Sequence, residues 1–353
     1  MIYRLLKSPL FLSGFLFLLI GVGYSIYFEF VIKDSLPAFK ELMDANGDGN
    51  LDNAPFEPSG KFPLGTDASG YPVQYKIIEG AKYTIGFALL ITILRMLVSV
   101  VFALTMRRFL LKVQRVIKGL TNSFHFAPTS LIAFFLLAPM LIVFSWNFSE
   151  TVQLIYMTVV LTLLAVPTLA LLISSETNQI MSQEFIENTK VLGGGYFHIL
   201  NKHVRPYLGP RLFIIFNQQM IQVLLIFAHL GVLGLYIGGT EVEGVRVEPN
   251  TANEAAQAQT LEGYSVSTSL SNEWGGLIAS ARKDVILYPW ELYYPAAAFA
   301  ITVLAFTIML EGVKRATDQK LKVRSNRKNV MPIHQAPIVE SDFKRPEKVP
   351  KAE

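Results

Sequence analysis

The chain has 353 residues, 52% of them hydrophobic and only 16% charged, a balance too apolar for an ordinary soluble domain. It holds no cysteine, which excludes disulfides, thiolate metal centres and cysteine nucleophiles. A net charge of +4 would suit nucleic acid, but the basic residues stand beside apolar blocks, where they orient a membrane protein, and no nucleic-acid partner is expected.

The apolar residues fall into six blocks of about 20, the length that crosses a ~30 Å hydrocarbon core. Each is expected to be a helix, because a lone strand leaves backbone polar groups unpaired in lipid. The predicted fold is therefore an all-α membrane protein with six transmembrane helices. Residues 1–9 come first, and Arg4 and Lys7 there resemble the start of a secretion signal. The first span, 10–32 (Leu10 to Ile32), is too long for one and lacks a small-residue cleavage site, so it reads as a retained anchor.

The segment 33–81 carries the string DANGDGNLD, with Asp44, Asn46, Asp48, Asn50 and Asp52 at alternate positions and Gly49 at the turn. Oxygen ligands at this spacing suit Ca²⁺, as in an EF-hand loop. The usual twelfth-position glutamate is replaced by Pro55, with Glu57 two residues further on. A plain acidic turn is the alternative to a structural Ca²⁺ site.

The second span is expected from Lys82 to Leu104 and contains Arg95, whose partner cannot be named from sequence. A basic loop follows with Arg107, Arg108, Lys112, Arg115 and Lys118, then spans from His125 to Trp146 and from Thr151 to Ile173. The loop 183–211 is long and mixed in character. Its helical spacing of Phe185, Ile186, Thr189 and Leu192 is broken by Gly193-Gly194-Gly195, and a second helical stretch reaches Arg205 before Pro206. Two short helices around a sharp turn can dock into a groove on a partner.

The fifth span, Leu212 to Ile237, is unusual in holding Asn217, Gln218, Gln219, Gln222 and His229. Polar groups at membrane depth face a water-filled path or glue helices together. Asn217, Gln218, Gln222 and His229 are the candidates for a translocation path, and helix–helix glue is the alternative. An external insertion, 238–289, holds the polar stretches TANEAAQAQT and GYSVSTSLSN, which read as loosely ordered. The sixth span runs from Trp290 to Leu310, and the tail 312–353 is basic, proline-containing and expected to be partly disordered.

Lysine and arginine crowd the loops after spans two, four and six, whereas Asp34, Asp44, Asp48, Glu57, Asp67, Glu241, Glu243 and Glu262 lie in the alternate loops. Both termini are therefore expected to be cytoplasmic, with two long external loops. The core, 82–311, holds spans two to six.

Glu187, Gly193 and Pro206 stand six and nineteen residues apart from the glutamate onward, without a gap. That spacing resembles the Glu-Ala-Ala loop of ABC importer permeases, with Asn188-Thr189 in place of the two alanines. Ile199 and His203 resemble the oligopeptide/dipeptide permease C-type subgroup. Leu64, Gly65, Thr66, Asp67, Gly70, Gly80 and Ala81 are similar to the family's segment before its second span. Trp274, Gly275, Pro289, Trp290, Pro295, the run 302–306, Gly312 and Asp318 are similar to its closing segment.

The resemblance implies a permease subunit in the cell membrane, not itself an enzyme, that forms half of a translocation pathway for oligopeptides or dipeptides. Implied partners are a homologous permease subunit, two ATPase subunits that hold ATP and Mg²⁺, and an extracytoplasmic substrate-binding protein. Glu187, Gly193, Gly194, His203 and Pro206 would then form the ATPase-coupling loop. Alternatives are a permease for nickel or other metal complexes, or a membrane signalling or anchor subunit that no longer transports. A membrane enzyme is disfavoured, since the sequence holds no HExxH, nucleophile–base pair or paired intramembrane carboxylates.

Overall fold

A computed structural model describes, in the main, residues 7–37, 52–109, 127–144, 147–235, 271–282 and 284–328, with backbone stretches at 240–244 and 265–269. Helix α1, Pro9–Tyr27, starts on a proline whose missing N–H has no intrahelical partner there. It winds on through a π turn, Phe28–Ile32, and a 3-10 turn, Lys33–Ser35. Strands β1 (Leu42–Met43) and β2 (Asp52–Asn53) pair antiparallel. Then come α2 (Val73–Phe109), α3 (Thr129–Ala138, extended by a π turn Pro139–Val143) and α4 (Glu150–Met181).

The short helix α5 (Glu184–Val191) leads to α6, a continuous helical run Tyr196–Val232 that is π-wound over Ile199–Val204. A second antiparallel ribbon, β3 (Thr240–Gly244) with β4 (Ser265–Ser269), precedes α7 (Trp274–Ala281) and α8 (Trp290–Lys328). The fold is all-α apart from these two small ribbons, and β4 lies within one of the polar stretches expected to be loose.

Among the described residues, 5 helices are long and apolar enough to cross a membrane, and Thr129–Val143 is a shorter apolar helix. It occupies the expected third span, His125 to Trp146, but gives only roughly 22 Å of rise. Pro139 sits at its change of winding, where a residue without an N–H cannot continue α-helical bonding. Other helices overrun their predicted bounds. Helix α2 begins at Val73 rather than Lys82 because the polar residues of its first turns find partners: Lys76 pairs with Asp67, and Glu79 with Lys33.

One apolar core joins the helices, including Phe11, Ile91, Leu137, Leu161, Met220, Phe227, Leu277 and Phe306. Helices α1 and α8 touch at backbone distance: a Cβ on Gly312 would stand 2.4 Å from the Phe11 nitrogen. Outward-facing Phe17, Leu19, Ile20 and Phe30 are exposed on α1, a surface that suits lipid rather than water.

Segments 33, 65–79 and 272–290 meet at one end of the bundle. The Trp290 indole donates to the Thr66 carbonyl at 3.1 Å, and the Asn272 amide donates to Glu79 at 3.0 Å. Lys82 pairs with Glu29 at 2.8 Å nearby. Burial, then the charges of Glu79 and Asp67 with Tyr75, push the Tyr71 hydroxyl up to about 12, so it stays neutral. Helix α4 runs away from that end and α6 returns to it, which leaves α5 at the opposite end. A reporter fused after residue 330 is expected to read cytoplasmic, and one inserted near Asn253 external. A cytoplasmic signal at Asn253 would break the alternation.

Candidate functional site

Helix α5 starts after Gln183, whose backbone is extended. Glu184 and Glu187 lie in its first turn and Lys190 in its last, each sign matching the helix dipole. Ile186 is fully buried and anchors α5 in a small cluster with Ile180, Met181, Ile199, Val204 and Leu208. Glu187 and Asn188 face outward and are exposed.

The turn is a Schellman cap. Gly193 N–H donates to the Lys190 carbonyl at 2.9 Å, and Gly194 N–H donates to the Thr189 carbonyl at 3.0 Å. Gly193 holds φ +85°, a left-handed angle that favours glycine, and open space surrounds its would-be Cβ. A Cβ on Gly194 would instead lie 2.8 Å from the Thr189 oxygen. Around the turn Val191 and Leu192 are each 87% exposed and Phe197 is 69% exposed. Gly195 has an extended backbone and opens the next helical run.

The second arm does not stop at Pro206. Helical winding continues through it, because the π segment Ile199–Val204 lies just before the proline and absorbs the missing N–H bond. That winding also sets residues five apart on one face, so His198 and His203 stand with ring centroids 5.9 Å apart. Arg211 pairs with Glu176, and its guanidinium also donates to Gln179 at 3.0 Å, which ties the start of α6 to the end of α4.

The polar residues of the fifth span divide. Gln218, Gln222 and His229 recur four and seven residues apart and share one stripe of α6; Gln218 and His229 are exposed and Gln222 is half-buried. Asn217 is fully buried on a different face and donates to the Phe213 carbonyl at 2.8 Å. The four candidates therefore do not form a single lining. Gln219 points toward Arg95, with Nη1 to Oε1 at 3.5 Å.

The proposed Ca²⁺ ligands Asp44, Asn46, Asp48 and Asn50 lie outside the described residues, and only Asp52, on β2, is within them. The expected external insertion contains a part the sequence did not mark as a helix. Helix α7 is apolar, and its Trp274, Leu277 and Ile278 are buried in the core. The fully buried Glu273 caps it, accepting from Gly275 and Gly276 N–H at 2.8 and 2.7 Å. The legible signal was a lone glutamate ahead of WGGLIASA, an N-cap before a small apolar run.

Residues 95–323, well over half of the chain, match the family described as binding-protein-dependent transport system inner membrane component. The chain belongs to this permease family. It is accordingly a multi-pass component of the cell membrane, in a family of transport subunits that act with ATPase and binding-protein partners. The chain is 21% identical over 319 residues to the glutathione transport system permease protein GsiD of Pectobacterium atrosepticum, covering 90% of each. GsiD proteins of Escherichia coli O1:K1 and Shigella flexneri serotype 5b are 27% identical over 158 residues, 45% of this chain and 42% of theirs. The permease match takes in α5, the glycine turn and α6, and leaves out α1 and the segment around Thr66.

Proposed function

We propose that this permease imports small peptides and is driven through α5 and the start of α6, which seat in a groove of an ATPase subunit. The observation that carries this is the set Val191, Leu192 and Phe197, three exposed apolar side chains around a capped turn. That turn lies at the end of the bundle opposite Thr66 and Asn272, and a protein groove there would cover the three side chains. Hydrolysis of ATP with Mg²⁺ falls to the partner, and this chain needs no catalytic residue of its own. Two permease subunits would enclose the pathway, fed by an external binding protein.

Peptide substrate is supported by the glutathione transport for which the GsiD relatives are named, since glutathione is itself a small peptide, and by the amides of Gln218 and Gln222, which match a peptide backbone as donors and acceptors. The test is uptake into vesicles holding the assembled importer with its binding protein. Labelled di- and oligopeptides and glutathione should accumulate with ATP, and a nickel complex should not. Uptake of the nickel complex alone would overturn the substrate class. Nucleotide hydrolysis that responds to peptide without any accumulation would instead support a signalling subunit.

A further inference from the structure

A polar layer crosses the bundle at membrane depth, separate from the coupling turn. Thr92, Arg95 and Ser99 recur three and four residues apart on α2 and share one face, and all three are fully buried. Arg95 reaches α4, where Nε donates to the Leu161 carbonyl at 2.9 Å, one residue from the buried Thr162. Its Nη1 reaches Gln219 on α6. Apolar packing closes the layer on both sides: Ile91, Leu161 and Met220 on one, Met96, Leu169 and Ile215 on the other.

The layer is short of hydrogen-bond partners. Arg95 Nη2, Thr92 Oγ1, Ser99 Oγ, Thr162 Oγ1 and, on α6, Asn217 Oδ1 are buried without one. Among the described residues no carboxylate forms an ion pair with Arg95. An isolated guanidinium in so dry a place is strongly disfavoured unless an opposite charge accompanies it. Water would satisfy the donors but not the charge. The guanidinium carries the only formal charge of the layer, and each hydroxyl can turn its O–H toward an anion, a combination that holds an anion and repels a cation.

We infer that this layer binds a small inorganic anion of the chloride class between α2, α4 and α6. The anion completes the hydrogen bonding of Arg95 and fixes the three helices against one another. The full chain in nanodiscs of zwitterionic lipid is heated in sodium chloride or sodium gluconate at one ionic strength. The unfolding midpoint should rise with chloride, climbing by about 2 °C per tenfold increase above the dissociation constant. Arg95→Gln should abolish that dependence, and where it folds it decides the matter. Where it does not fold, Ser99→Ala and Thr162→Val decide, each moving the onset of the climb to severalfold higher chloride. A parent protein indifferent to chloride would overturn the inference in favour of buried water. A dependence unchanged in the deciding variants would overturn it in favour of an ion bound elsewhere.

Discussion

Gly193→Leu should leave the spans inserted and abolish uptake. Two effects act together there. The left-handed angle of +85° costs a residue with a Cβ about 1–2 kcal/mol. Among the described residues, chain neighbours aside, no atom lies within 4 Å of that Cβ, so the expected source of steric obstruction is the partner. Gly193→Ala separates the two, since it carries the same backbone strain with little bulk. It should retain partial uptake, while leucine loses both uptake and co-purified ATPase. Glu187→Ala should reduce uptake by about twofold at most, since an exposed interfacial charge contributes little alone. Uptake and ATPase recovery are measured at matched membrane abundance. If Gly193→Leu assembles and transports like the parent, the turn is not the coupling element.

Gly231→Val should be the more damaging change to the fold. A Cβ at 231 would stand 2.4 Å from the Gly275 oxygen and 2.6 Å from its Cα, so backbone rather than a flexible side chain blocks it. Helix α7 could then not lie against α6, and the buried contacts of Trp274, Leu277 and Ile278 would be lost with it. Overpacking of this kind costs about 1–3 kcal/mol, and more where backbone must separate. The expected readout is a sharp fall in membrane abundance and in thermal midpoint. Gly231→Ala should show the same direction, since the first carbon already collides. An alanine variant with the parent's midpoint would disprove the close approach.

The sequence was informative where a physical requirement is local. Apolar runs long enough to cross lipid announced the spans, since burial in hydrocarbon needs no tertiary partner to be recognised. Gly193 and Gly194 announced the turn, because a cap after a helical run needs glycine. Boundaries were less legible. Lys76 and Glu79 read as polar loop until Asp67, Lys33 and Asn272 are seen to pair with them, and the two partners of Glu79 are distant in the chain. Pro206 looked like a break, but π winding before it lets the helix proceed. The face of each residue on α6 was read too loosely: Asn217 and Gln218 are neighbours in sequence but lie about 100° apart around the axis, so only one of them joins the stripe of Gln222 and His229. Helix α7 was missed because its eight residues are too few to give a period.

The unbroken winding of α6 has a mechanical corollary. Its 37 residues amount to a rod of roughly 55 Å. A tilt of the whole rod by about 5° about the glycine-turn end would sweep the far tip by roughly 5 Å. Compliance is concentrated near the glycine-turn end, where the π turn, Pro206 and Pro210 fall close together. The far tip abuts α7 through Gly231 and Gly275, so α7 rides on the end of the lever. A displacement imposed on one side of the membrane would thereby reappear, enlarged, on the other.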